Sequence, residues 1–88
     1  MLNAAIFELI RLGIKVTFEG SDKFLWIRAW GPLPYSNAYW QMESTWPWQE
    51  IQKVNFDIVA LKLGEIRNLY LAEISRLTAA QEAVTREL

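Results

Sequence analysis

Residues 2–30 constrain the fold of this chain more than any other stretch. A short apolar segment ends at Gly13, and two runs of alternating apolar and polar residues follow it, separated by a turn. The helical spacing of the apolar residues predicts a helix over 4–12, which glycine ends because it adopts a left-handed backbone at low cost. The alternating runs predict a β-hairpin with strands at 14–19 and 24–30.

The register of this hairpin depends on the length of its turn. If Gly20 lies opposite Lys23, all apolar side chains of the two strands share one face. The other face then carries polar and aromatic side chains and places Lys15 opposite Arg28. Two like charges in that arrangement cost up to about 1 kcal/mol unless an anion lies nearby. The pair is interpreted either as part of a solvated face or as an anion site.

The remainder of the chain predicts a loop and two helices. The second strand is expected to end at the Gly-Pro pair that follows it, because proline lacks the N–H that a continuing ladder needs. The sequence predicts an ordered aromatic loop over residues 31–47. It predicts helices over residues 48–63 and 65–86, with Gly64 as the break between them.

All these elements are expected in a single domain over residues 1–88, because typical domains have about 100–150 residues. The predicted fold class is α+β. It is a small α-β-β-α(-α) domain in which a two-stranded antiparallel hairpin packs against helices.

Composition and charge exclude several classes of function. Nine basic and ten acidic residues give a net charge of −1, which argues against binding to nucleic acid. The chain has neither cysteine nor histidine, which removes thiolate catalysis, disulfides and the usual zinc sites. No apolar run reaches the roughly 18 residues of a membrane span, so we expect no membrane association. The absence of cysteine favours a cytoplasmic protein.

The carboxylates occur singly, with no recognisable partner base and no glycine-rich phosphate loop. We therefore expect no enzyme, no catalytic residue, no metal and no cofactor.

Two regions are candidates for binding a partner, and each has a structural alternative. The aromatic residues of the polar hairpin face either meet a partner or pack under the loop or the last helix. The aromatic loop is either a lid over a small core, an anchor for a protein, or a platform for sugars or single-stranded bases. The candidate partner-binding residues are Lys15, Thr17, Lys23, Phe24, Trp26, Arg28 and Trp30, and a secondary aromatic surface comprises Tyr35, Tyr39, Trp40 and Trp46.

The order of helix, glycine, strand, turn and strand resembles the amino-terminal docking domains of the TubC type, which occur on nonribosomal peptide synthetase and polyketide synthase subunits. The resemblance rests on FELIRLGIKV at 7–16, on Glu19-Gly20 and on the strand through Arg28-Ala29, and it covers about the first third of the chain. It implies that a short segment of an upstream subunit adds a strand to the hairpin edge. The acidic residues of that segment would then contact Lys15, Lys23 and Arg28, with Trp26 beside these three residues.

These observations predict a non-catalytic protein–protein interaction module that binds a short acidic or amphipathic peptide. An isolated hairpin has two unpaired edges, and an added strand satisfies them. The alternative is a small phage- or plasmid-encoded inhibitor that blocks a host defence or nucleic-acid enzyme. A carbohydrate-binding platform is a minor hypothesis. A homodimer through the apolar seam of the C-terminal helices also stays open.

Overall fold

The computed structural model of this chain describes residues 2–54 and 57–87. Its three strands form one antiparallel sheet in which the second strand of the chain lies between the first and the third. The α+β class is confirmed, but the sheet has three strands where two were predicted. In chain order the elements are α1 (Leu2–Arg11), β1 (Lys15–Gly20), β2 (Phe24–Pro32), β3 (Tyr39–Pro47), α2 (Trp48–Val54) and α3 (Asp57–Glu87).

The third strand occupies most of the segment that was predicted to be an aromatic loop. β3 pairs with β2 along its whole length, from Pro32 opposite Tyr39 to Phe24 opposite Pro47. Its side chains alternate between the two sheet faces, as in any strand. Among the positions that face the core, Ser44 is polar and interrupts the alternation of apolar and polar residues. The alternation is therefore weak in the sequence, and the many aromatic residues are more conspicuous than the strand pattern.

β2 also continues past the point where it was expected to end. The Gly-Pro pair belongs to the strand and lies opposite Trp40 and Tyr39 of β3. On the other side, the β1–β2 ladder ends at the pair of Lys15 with Trp30, so Pro32 lies beyond it. The proline therefore leaves no gap in that ladder, which is why the sheet accepts it.

The hairpin register differs from the predicted one by two residues. Gly20 faces Leu25 where Lys23 was expected, and Phe18 faces Ile27 where Leu25 was expected. The turn explains the difference, because Ser21 N–H donates to Phe24 O at 2.9 Å and makes this pair the one that closes the hairpin. The side chains keep their predicted faces, since a shift of two preserves the alternation.

Gly13 ends α1 as its sequence position suggests. Its φ of 82° lies in the left-handed region that glycine tolerates. The N–H of Gly13 donates to Ile10 O and that of Ile14 donates to Leu9 O, both at 3.0 Å. These bonds satisfy carbonyl groups at the helix end and turn the chain directly into β1.

The core lies between one face of the sheet, here called the covered face, and the helices α1 and α3. Tyr70 connects the two layers, because its ring meets that of Trp40 edge-on at 5.4 Å and its hydroxyl donates to Pro32 O. The buried side chains are Leu9, Ile14, Ile27, Ala29, Trp46, Ile51, Val59, Leu63, Ile66 and Tyr70.

α3 has 31 residues and is longer than either of the two helices that were predicted for this region. It runs without a break through Gly64, so the expected helix end there is wrong. α2 is described to Val54 and α3 from Asp57, and residues 55–56 lie outside the described part. The last buried side chain of α3 is Tyr70, and Ile74 is the last one that packs against the core. The helix beyond Ile74 projects from the body, and the long axis of the molecule is 54 Å.

No helix in the described part of the chain is both long enough and apolar enough to span a membrane.

Candidate functional site

The sheet face opposite the helices, here called the open face, carries most of the predicted binding residues. Cross-strand pairing arranges its side chains in three rows, one residue from each strand. The rows are Lys15-Trp30-Gln41, Thr17-Arg28-Glu43 and Glu19-Trp26-Thr45. Lys15, Thr17, Trp26, Arg28 and Trp30 therefore do share one surface.

Arg28 is held within this surface by its own neighbours. Its Cζ lies 4.0 Å from the ring centroid of Trp26, and its Nε lies 3.6 Å from Glu43 Oε1. A cation–π contact at an exposed site contributes about 0.5–1 kcal/mol, and an exposed ion pair contributes about 0–1 kcal/mol. The positive charge is therefore already matched by Glu43, a residue of the strand that the sequence did not predict.

The predicted pair of like charges, Lys15 opposite Arg28, is wrong. Lys15 faces Trp30, and Arg28 faces Thr17 on β1. Lys23 lies in the hairpin turn, at the opposite end of β1 from Lys15. Lys15 and Arg28 thus lie in neighbouring rows of the open face without being opposite each other, and Lys23 lies apart from both.

Phe24 and the hairpin turn are tied to the start of α2. Phe24 faces Pro47 and stays 45% exposed. Trp48 Nε1–H donates to Ser21 O at 2.6 Å, and its backbone N–H donates to Lys23 O at 3.1 Å. Lys23 and Phe24 therefore lie at a fixed corner of the molecule, away from Lys15.

The aromatic residues of the second predicted region do not form one surface. Trp46 is 5% exposed in the core, and Trp40 is half-buried against Tyr70. Tyr35 and Tyr39 remain exposed at the β2–β3 turn and at the start of β3. Two of these side chains thus complete the core, and two face solvent.

The outer edge of β1 has free backbone groups. The bond from Ser21 N–H to Phe24 O fixes the alternation of the ladder, so Thr17 and its second neighbours along β1 direct their N–H and C=O towards β2. Val16 and Phe18 consequently direct theirs outwards. In the described sheet no strand pairs with this edge.

An apolar groove runs beside this free edge, between α1 and β1. We call it the edge groove. It has a volume of about 560 Å³, and Ile6, Ile10, Val16 and Phe18 are among the residues that line it. Ile10 is 60% exposed and Phe18 is 43% exposed, although both are large and apolar. Apolar side chains of this size beside unpaired backbone groups are typical of a surface that receives another chain.

The outer edge of β3 is different. Along the covered face α3 overhangs it, with Lys62 Nζ 5.3 Å from the ring centroid of Trp46. The cavity there measures only about 90 Å³. Glu43 and Pro47 lie on the strand itself, and charge and proline both discourage edge pairing. Of the two sheet edges, the β1 edge is therefore the one that is more accessible to an added strand.

Phe18 belongs to the apolar face of the predicted hairpin and Ile10 to the apolar stripe of the predicted helix, so the sequence pattern predicts that both face the core. The structure leaves them at the edge groove because α1 does not cover the outer rim of β1. These three residues gave no signal of this, because Ile6, Leu9 and Ile10 have the i, i+3, i+4 spacing of an ordinary core-facing helix stripe.

Within the described residues no group of three or more acidic side chains has the arrangement of a metal site. The comparisons with known proteins add no relative, since no family model, no curated protein and no solved structure matches this chain.

Proposed function

We propose that this protein is a non-catalytic protein–protein interaction module that takes an extended segment of its partner onto the free edge of β1. The observation that carries this proposal is the edge groove beside the outward backbone groups of Val16 and Phe18. Such an edge provides affinity through main-chain hydrogen bonds, and an adjacent pocket provides specificity through side chains.

The two sides of β1 define what the incoming segment must look like. On the covered side its side chains meet Val16, Phe18 and Ile10, so apolar residues are favoured there. On the open side they lie beside Lys15, Thr17 and Glu19, so polar or charged residues are favoured there. Because strand side chains alternate, the partner segment is amphipathic with a period of two.

The predicted open-face residues contribute unequally under this proposal. Lys15 and Thr17 lie on β1 itself, next to the incoming strand. Trp26, Arg28 and Trp30 lie on β2, about 4.8 Å farther away. They contact only a partner that extends over the open face. The resemblance to TubC-type docking domains implies the same general mode, strand addition to a hairpin edge.

The test is a selection of short random peptides on the intact chain, followed by titration of the selected peptides into isotope-labelled protein. We expect amphipathic peptides that shift the amide resonances of Val16 and Phe18 on titration. Ile10→Glu should abolish binding, because it places a charge in the edge groove.

Phe7→Glu is the matched control. Phe7 lies on the same helix and is 65% exposed, and it is absent from the groove lining. Its replacement should leave peptide affinity unchanged. Peptides that bind equally well to the Ile10→Glu variant, or that lose affinity only with Trp26→Ala, would refute the edge as the binding site.

A further inference from the structure

We infer that the segment received by β1 is β1 of a second copy of this chain, so that the protein forms a two-fold symmetric dimer with a continuous six-stranded sheet. This inference rests on the proposed function, because it names the partner of the same edge. Its basis is that the sequence of β1, KVTFEG, is complementary to itself when two copies run antiparallel.

The backbone groups select which residues can pair. Val16 and Phe18 direct their N–H and C=O outwards, whereas Thr17 directs its own towards β2. With Thr17 on the two-fold axis, Val16 of each copy lies opposite Phe18 of the other. Each such pair exchanges two backbone hydrogen bonds. A register shifted by one residue would set outward groups against inward ones and form no ladder.

The charges select the same register. With Thr17 facing Thr17, Lys15 of each copy lies opposite Glu19 of the other, at both ends of the new strand pair. These are non-hydrogen-bonded positions, where opposed side chains approach most closely. Shifting the register by two residues in either direction breaks both ion pairs: Glu19 then faces either Thr17 or Gly13. Among the registers that the backbone allows, the one with Thr17 on the axis therefore pairs every charge on β1.

The apolar side of the edge fits this arrangement as well. In the same register Phe18 of one copy lies next to Val16 of the other, on the covered side of the sheet. Phe18 and Ile10 are exposed in the single chain, at 43% and 60%, and both border the edge groove. A second copy thus brings apolar side chains to each edge groove, while the charged pairs stay on the open face.

The assembly closes at two copies. An isologous contact uses the same surface on both partners and leaves it unavailable to a third. The joined sheet ends in the two β3 strands, whose outward residues include Glu43 and whose last residue is Pro47. A charged, proline-terminated edge discourages further strand addition.

The test measures the oligomeric state by sedimentation equilibrium for the wild type, Lys15→Glu, Glu19→Lys and the double variant Lys15→Glu/Glu19→Lys. We expect a dimer, and each single variant should raise the dimer dissociation constant about tenfold or more, since both symmetric contacts then bring like charges together. The double variant should restore the wild-type dissociation constant to within about threefold, because the charges are exchanged. Lys23→Glu and Asp22→Lys change the net charge equally but lie in the hairpin turn, so they should have no effect.

Two outcomes would overturn the inference. One is a wild-type chain that stays monomeric up to about 200 µM, because a specific dimer of this kind should form below that concentration. The other is a dimer that none of the charge variants weakens, which would place the interface elsewhere, for example on α3. If the monomeric chain still binds selected peptides in a manner sensitive to Ile10→Glu, only the self-pairing is refuted and the proposed function stands.

Discussion

Single residues show how closely the sheet and α3 approach each other. A Cβ atom at Gly31 would lie 2.9 Å from Tyr70 Cε1 and 3.2 Å from Ile14 Cγ1. Neither neighbour is the end of a flexible side chain, so the contact requires glycine. At Gly64 the nearest atom to such a Cβ is 4.0 Å away, on the side chain of Arg67. The same substitution should therefore have opposite effects at the two positions.

We expect Gly31→Ala to lower the free energy of unfolding by about 1–3 kcal/mol, because it overpacks the core. Gly64→Ala should raise it by about 0.5–1 kcal/mol, because it removes the entropic cost of glycine inside a helix. Chemical denaturation of both variants measures these changes. A neutral Gly31→Ala variant would show that Tyr70 does not pack on β2 as described.

At the scale of elements, Tyr70 is the polar link between α3 and β2. Its hydroxyl donates to Pro32 O, and burial raises the pKa of the Tyr70 hydroxyl above its ordinary value. Because the pKa is raised in the folded protein, the unfolded chain releases the hydroxyl proton at a lower pH than the folded protein does. The resulting contribution to stability is complete below the ordinary tyrosine pKa of about 10 and is lost as the pH rises beyond it.

Tyr70→Phe should therefore cost about 1 kcal/mol of unfolding free energy near neutral pH, through the lost hydrogen bond. The difference from wild type should shrink as the pH rises above about 10. Denaturant melts at several pH values measure it. Tyr39→Phe, at an exposed side chain, is the control and should change stability by less than about 0.5 kcal/mol. A Tyr70→Phe difference that is constant into the alkaline range would contradict this role of the hydroxyl.

At the scale of the whole molecule, a folded body and a projecting helix differ in what stabilises them. The body is held by the core between the covered face and the helices, to which α3 contributes side chains as far as Ile74. Residues 79–87 of α3 are exposed throughout, so they bury no apolar surface against the body. Their helical state depends on local propensity and on hydrogen bonds within the helix.

A chain that ends at Thr78 should keep the unfolding free energy of the full chain to within about 0.5 kcal/mol. Hydrogen exchange in the full chain should be fast over 79–87 and slow around Leu63 and Tyr70. A larger loss of stability, or dissociation of a dimer on truncation, would show that the projecting half of α3 forms an interface.

Much of the first half of the fold follows from local pattern. The helix, the glycine stop and the two faces of the hairpin are encoded by apolar spacing of 3.6 and of two, and these are properties of neighbouring residues. The open-face residues Lys15, Trp26 and Arg28 could be assigned to one surface for that reason. The edge groove could not be predicted, because it depends on where α1 stops covering β1.

Alternation by itself determined which side of the sheet each residue of β1 and β2 faces, because registers that differ by two residues give the same faces. Only the tertiary structure decided which residues are opposite one another. The Ser21–Phe24 bond that closes the turn is local, but a tertiary contact holds this turn, because Trp48 donates to Ser21 O from 27 residues further along the chain. Likewise, β3 becomes a strand because β2 offers it a partner, and pairing of that kind is not a local property of the sequence.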